Sequence, residues 1–412
     1  MHNWRWKTIL FLSSQTISLF GSSLVQYAIM WHITLNTKSG IMMTISIICG
    51  FLPMFFLSPF AGVWADRYNR KILIMLADSF IALATLLVAV LFFMGYDSVW
   101  LLFAVSAVRA VGSGLQNPAV GAMVPQIVPQ DRLVRVNAIN SSVQSFVTLV
   151  SPAVSGALLT FATIEYIFFI DVITAAIAVF ILAFFLRIPP HAKAAEKQSV
   201  SYFHDLLEGW RYITGHKFIL FSCLFNIAYF ILIAPAAFLT PLQVAISFGD
   251  DVWRLSAIEM AFSLGMMAGG AIIAAWGGFK NKLHTMVLAN LMIGFGTFAL
   301  GVIHIFAIYL ALMTLIGISM PIFNTPFTSL IQQKVAEDYL GRVFGVFGML
   351  VSVMMPLGML IFGPLAEFVR IELMLVATGL LIVVLSFIML NNKVLLEAGK
   401  PAAQKAEGDP EV

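Results

Sequence analysis

Twelve long, predominantly apolar runs fill this chain, and that repetition constrains its fold more than any single motif. About 20 such residues in a helix cross the roughly 30 Å of hydrocarbon in a bilayer. Windows of that length fall near 8–35, 41–64, 72–94, 99–121, 137–160, 164–187, 217–243, 254–276, 284–303, 306–331, 343–365 and 371–391. With 60% hydrophobic and only 10% charged residues, little polar sequence remains to solvate a water-soluble globule. A membrane β-barrel needs alternating segments of about ten residues, which are absent. The expectation is an all-α membrane protein with twelve spanning helices.

Arg5 and Lys7 precede the first span. It is too long for a signal-peptide core and lacks a convincing small-x-small cleavage site, so it is read as a retained helix. Of the 23 lysines and arginines, Lys38, Arg254 and Arg370 fall in loops on one side and Arg109 falls inside a span. All the others lie on the side that carries both termini, which the positive-inside bias makes cytoplasmic. The net charge of +3 therefore reflects topology. No basic, aromatic-interleaved soluble domain exists to hold nucleic acid.

The longest connection, 188–216, separates six spans from six and carries Pro189-Pro190. Within it Phe203, Leu206, Leu207, Trp210 and Ile213 recur at helical spacing, predicting an amphipathic helix on the membrane surface. The expected organisation is a six-helix bundle over 1–187, a linker with that helix over 188–216, a second bundle over 217–392 and a disordered tail over 393–412. The halves echo each other. Asp131-Arg-Leu-Val-Arg135-Val136 before span five matches Asp338-Tyr-Leu-Gly-Arg342-Val343 before span eleven. Asn117-Pro118 and Asn324-Thr-Pro326 precede them at similar distances, and Gly277-Gly278-Phe-Lys280-Asn-Lys282 echoes an earlier loop after span two. Such a repeat predicts two bundles related by a pseudo-two-fold axis along the membrane normal, rocking about a midplane site.

That earlier loop, Gly62-Val-Trp-Ala-Asp66-Arg67-Tyr-Asn69-Arg70-Lys71, packs one acid and three bases between two spans. It resembles the loop between helices two and three of the major facilitator superfamily of secondary transporters. Asn69 stands where that family has a second glycine, and asparagine tolerates the left-handed backbone a glycine supplies. The resemblance implies that Gly62, Asp66, Arg67, Arg70 and Lys71 form a cytoplasmic gate with Gly341 and Arg342, Asp66 facing the positive end of helix eleven. Topology enforcement by the basic residues is the plainer alternative.

Arg109 is the one base deep in a span and costs at least ~2.5 to 3.5 kcal/mol unless it finds a cavity or partner. Its surroundings, Arg109-Ala-Val-Gly112-Ser-Gly114, resemble a fourth-helix motif linked to proton transfer in antiporters of the family, with the first glycine one residue early. Asp78, Asp171 and Glu259 also fall within or near spans. One arginine cannot compensate three carboxylates, so at least one acid is expected to carry a proton during part of the cycle. Asp171 lies at a depth within reach of Arg109 and is the first candidate carrier, with a fixed Asp171–Arg109 bridge as the alternative. Asp78 and Glu259 follow.

Ser151, Pro152, Ser155 and Gly156 resemble the proline–glycine motif that family antiporters carry in helix five, which points to export; simple packing explains it nearly as well. The family's substrate cavity is lined by helices one, four, seven and ten. On the matching spans it would include Gln26, Gln116, Asn117, Asn226, Tyr229, Phe230, Phe323 and Asn324. These suit a bulky, largely apolar solute held by a few amides, or else interhelical bonds and lipid contact.

No Gly-x4-Gly-Lys-Ser/Thr loop is present for ATP, the seven histidines have no metal spacing, and Cys49 and Cys223 lie in apolar spans. No cofactor, metal or enzymatic chemistry is expected. Across nearly its full length the chain is similar to the macrolide-efflux branch of the superfamily, including Phe-Leu-Pro53, Ile170-Asp171 and Tyr339-Leu-Gly-Arg342-Val343-Phe. The resemblance implies a proton-driven exporter of bulky amphiphilic drugs in a bacterial plasma membrane, working as a monomer on small molecules and protons. Alternatives are a siderophore or lysophospholipid transporter or an uncoupled facilitator on the same fold, and a transport-dead sensor.

Overall fold

The computed structural model describes residues 4–186 and 202–400; within them the side chains of 58–59, 62–63, 66, 202–206 and 337–338 are not described. The described residues form helices and no strand. The first half comprises α1 (Trp4–Thr37), α2 (Gly40–Arg67), α3 (Arg70–Phe93), α4 (Val99–Ile127), α5 (Leu133–Phe161) and α6 (Ile164–Phe180), the last ending in a π-helical stretch, Ile181–Phe185. After α7 (Tyr202–Gly215) come α8 (Lys217–Phe238), α9 (Thr240–Ser247), α10 (Val252–Trp276), α11 (Lys282–Leu300), α12 (Phe306–Lys334), α13 (Glu337–Leu365), α14 (Ile371–Asn391) and a short α15 (Lys393–Ala398). Twelve stretches are long and apolar enough to cross a membrane, with α8 and α9 together making one.

Three expectations change. The seventh span, read as one helix, breaks at Leu239, with Pro235 before the break and Pro241 in the first turn of α9. A proline costs an interior helix its hydrogen bond but is welcome at a helix start. The segment from Lys393, expected to be disordered, opens with α15, which Asn392 caps through its side chain. It packs on α11, where the Asn281 amide donates to the Leu396 carbonyl. The rest of that tail, 401–412, lies outside the described residues, as does 188–201 of the linker. Finally, Asn69 is not left-handed. It sits at φ −66° and its side chain accepts the Lys71 amide at 3.0 Å, capping α3. Asn281 does the same for α11 at 2.9 Å. The echo between the two loops is thus a pair of asparagine caps.

An even number of crossings places the start of α1 and the end of α14 on one face, called here the terminal face. Every hydrogen bond, ion pair and ring contact described between the two six-helix sets lies toward the opposite face. There Lys38 pairs with Asp250 at 2.7 Å, and Ser39 Oγ and the Ile41 amide both donate to Glu367 at 2.5 and 3.2 Å. Deeper, Thr44 Oγ1 donates to the Met359 carbonyl at 3.2 Å, Ser256 Oγ to the Pro152 carbonyl at 2.8 Å, and Phe51 meets Phe238 edge-on. A shared core of Trp31, Met43 and Ile47 with Tyr229, Ile233, Leu242 and Leu255 backs these bonds.

Close approach is what small residues permit here. A Cβ on Gly363 would sit 2.8 Å from the Gly40 carbonyl, and one on Gly40 would sit 2.7 Å from Ala366 Cβ. Toward the terminal face the same helix α13 carries Gly341, Gly345 and Gly348, where an added Cβ would meet no atom within 4 Å. The protein is sealed on one face and parted on the other. Gly363→Val should break the seal: Thr44→Cys, buried in the native packing, should react slowly with a membrane-impermeant thiol reagent in the native background and much faster beside Gly363→Val. Equal rates would show that the contact does not seal that face.

Candidate functional site

Polar side chains inside the first half form two layers. In one, the Arg109 guanidinium of α4 pairs with the Asp171 carboxylate of α6, donates to Thr85 Oγ1 of α3 at 2.6 Å and reaches the Ser22 carbonyl of α1 at 3.2 Å. Ser22 Oγ approaches Asp171 from the other side at 3.4 Å. One guanidinium therefore ties four helices. The expected reach between Arg109 and Asp171 is realised as a buried bridge, with Asp171 only 1% exposed. A Cβ on Gly21 would run into Thr174 and Asp171, so a glycine is required where α1 passes α6.

Nearer the terminal face lies the second layer. Asp78 of α3, 2% exposed, accepts at Oδ1 from Ser18 Oγ of α1 at 2.7 Å and from Gln116 Nε2 of α4 at 2.8 Å. Its Oδ2 is buried and has no partner, and among the described residues no lysine or arginine bonds to it. Gln15 Nε2, nearly one turn below Ser18, is also buried without a partner. The serines that complete both layers escaped the sequence reading, although Ser14, Ser18 and Ser22 recur every four residues on α1, a spacing that places them on one face.

The third acid, Glu259, stands one turn beyond Ser256 on α10 and is half-buried. The proline–glycine element of α5 lies beside it: Ser155 Oγ donates to the Leu24 carbonyl at 3.1 Å, and a Cβ on Gly156 would lie 2.7 Å from Ser256 Cβ. Ser151 and Pro152 are buried there too.

The substrate-wall candidates divide. Gln26, Asn117 and Asn324 are exposed, the last two at matching places in the repeat, and Phe230 is half-buried. Gln116 is committed to Asp78. Asn226, Tyr229 and Phe323 are buried and do not line the open gap. Asn226 donates to the Ser222 carbonyl of its own helix, and Tyr229 stacks on Phe323 at 5.7 Å with its hydroxyl toward Met320. Large aromatics on α8 and α12 fill the second half instead of walling a cavity, because their rings find better contact with one another than with water.

The loop after α2 binds locally. Arg70 donates to the Ala65 and Ala122 carbonyls at 3.0 and 2.9 Å, drawing the ends of α2 and α4 together. Lys71 Nζ donates to the Ala183 and Leu186 carbonyls at 3.2 and 2.8 Å, satisfying acceptors that the π-helical end of α6 leaves over. Arg67 is exposed. The Gly62 and Asp66 side positions are outside the described residues. Arg342 pairs with Glu208 of α7 at 3.1 Å, Tyr212 of α7 stacks on Tyr339 at 4.5 Å, and Gly341 is free of neighbours. So α7 docks on the start of α13, with Ile213 in the core and Leu207 and Trp210 exposed.

Two helical halves, joined at one face and parted at the other, with ionisable side chains buried inside one of them, have the architecture of a membrane transporter built from two repeated bundles. The sequence pattern of the Major Facilitator Superfamily matches residues 10–359, and the chain belongs to that family. It is 28% identical over 395 residues to macrolide efflux protein A of Streptococcus pyogenes, covering 95% of this chain and 97% of that one. It is 24% identical over 361 residues to the multidrug efflux pump Tap of Mycolicibacterium fortuitum, covering 84% and 86%. Among solved structures, a variant of the nucleoside transporter NupG superposes with a TM-score of 0.70 at 17% identity over 94% of this chain and 99% of that one. A bacterial homologue of the lysosomal transporter Spinster, inward-facing and unoccupied, gives 0.68 at 12% identity over 98% and 100%. The protein is a multi-pass membrane transporter.

The Arg109–Asp171 bridge predicts a specific pattern of stability. Removing one partner of a buried pair strands the other charge and costs about 3–5 kcal/mol, whereas replacing both with apolar groups costs far less. Asp171→Asn or Arg109→Gln should each lower the unfolding temperature in detergent, and Arg109→Met with Asp171→Leu should recover much of it. Additive losses in the double variant would show that the two charges do not act as a pair.

Proposed function

We propose that the protein exports bulky amphiphilic compounds of the macrolide type from the bacterial cytoplasm in exchange for protons. The positive-inside distribution of Lys and Arg makes the terminal face cytoplasmic, so the structure corresponds to the inward-open half of the cycle. The similarity to macrolide efflux protein A over almost the whole of both chains supports the solute class. One proton moving across 100 mV supplies about 2.3 kcal/mol before any pH gradient is counted.

The observation that carries proton coupling is Asp78. Its buried Oδ2 lacks a partner and, among the described residues, no lysine or arginine bonds to it, whereas Asp171 is held by Arg109. A carboxylate isolated like this is costly to keep ionised, and a proton on the free oxygen removes the cost. We therefore place the carrier at Asp78 and give Asp171 a structural role. Gln116 donates to Asp78 and adjoins the exposed Asn117. A solute that engages Asn117 shifts α4 at Gln116 and loosens the donor on Asp78, which links solute entry to proton release. Asp66 closes the cytoplasmic side in the other half of the cycle against the positive end of α13, and Arg342 exchanges Glu208 for that interface. Two bundles with α7 between them move as units, and a single chain suffices.

Reconstitution in vesicles with an imposed pH gradient tests this. Erythromycin should drive proton movement in the native protein. Asp78→Asn should abolish that movement while erythromycin still binds, and Asp171→Asn should reduce the amount of folded protein without abolishing coupling in the fraction that folds. Erythromycin transport with no proton movement in the native protein would favour an uncoupled facilitator.

A further inference from the structure

Helix α5 carries a polar stripe toward the terminal face. Asn137, Ser141, Gln144, Ser145 and Thr148 are all exposed. Thr148 Oγ1 donates to the Gln144 carbonyl, while the side chains of the other four make no described hydrogen bond. At 100° per residue, positions 137, 141, 144, 148, 152 and 155 share one helix face. The last two of these are where α5 is gripped: the Pro152 carbonyl by Ser256 of α10, and Ser155 by α1. The stripe is therefore the continuation, toward the terminal face, of the surface that seals the halves at the other end. Where the halves part, it looks into the gap. The opposite side of the helix carries exposed Ile139 and Phe146, which suit lipid.

From Asn137 to Thr148 the stripe runs about 16 Å along the helix. Polar groups over such a length are not tolerated against hydrocarbon, so they are in water or on a ligand. Their chemistry selects the ligand. Two amides and two free hydroxyls offer both donors and acceptors and no charge. An anion would call for arginine or lysine, and a cation for a carboxylate; neither occurs within the stripe. Alternating neutral donors and acceptors match vicinal hydroxyls and ring oxygens.

We propose that the α5 stripe is the polar wall of the solute cavity and holds the hydroxyl-bearing, sugar-like portion of the transported compound. This rests on the exporter reading and adds to it which part of an amphiphile is recognised and by which helix.

The test uses the full chain in lipid nanodiscs with Cys49→Ala and Cys223→Ala, and a single reporter, Ser141→Cys or Ser145→Cys, labelled with a charged methanethiosulfonate. Both reporters should react readily, and Phe146→Cys on the other face should react at least about tenfold more slowly, as expected for a thiol facing lipid. Labelling at Ser141→Cys should be slowed by erythromycin and by dodecyl maltoside. The sugar-free macrolide aglycone and dodecanol should slow it much less. Adding Gln144→Leu should weaken protection by the sugar-bearing probes about tenfold, as expected for losing one or two hydrogen bonds. Protection by dodecyl maltoside but not by erythromycin would overturn the macrolide reading and leave the stripe as a sugar site. Unreactive Ser141→Cys and Ser145→Cys reporters, no protection by either sugar-bearing probe, or equal protection by the sugar-free counterparts would overturn the proposal.

Discussion

Hydrocarbon offers no hydrogen bonds, and the rest of the structure follows from that constraint. Each span satisfies its backbone internally, so contact between spans depends on side chains alone. Two solutions to the contact problem appear, in different places. Inside the first half, charge and hydroxyl groups are spent on one another, with Arg109 reaching α1, α3 and α6 from α4. Between the halves, glycine and serine let backbones approach closely, at Gly40 with Gly363 and at Gly156 with Ser256. The first kind of contact is costly to break and makes a rigid unit. The second kind consists of many small contacts that can be exchanged for others, which suits an interface that must open.

Burial of ionisable groups follows the same division. Arg109 and Asp171 compensate each other, so neither is free to change its charge without loosening four helices. Asp78 is held on one oxygen by Ser18 and Gln116, while its other oxygen is buried without a partner. Asp171 and Asp78 thus meet opposite surroundings although their residue type is the same. Glu259 lies on α10 of the second half and is half-buried.

The twelve spans, the division into six and six, and the asparagine-bearing loops after α2 and α10 were legible because apolar run length and short polar echoes are local properties of the chain. The reach between Arg109 and Asp171 was legible too, since helical rise converts sequence position into depth. Which acid is compensated was not: that depends on Thr85, Ser22, Ser18 and Gln116 arriving from other helices. Rotation about each helix axis was equally hidden. Asn226, Tyr229 and Phe323 stand on the expected helices but turn into the packing, while the polar stripe of α5, on a helix not considered for the cavity, is exposed. The break at Leu239 had its prolines in view, but only the packing of α9 shows that they divide the span.

In the proposed cycle the halves move as two bodies about the face now sealed. Double electron–electron resonance measures it directly, with one spin-label pair at Val134→Cys and Phe279→Cys on the terminal face and another at Phe161→Cys and Trp253→Cys on the opposite face, all at exposed positions. When pH and erythromycin are varied, the account predicts opposite changes: the first distance shortens as the second lengthens. Distances that stay fixed, or that lengthen and shorten together, would contradict it.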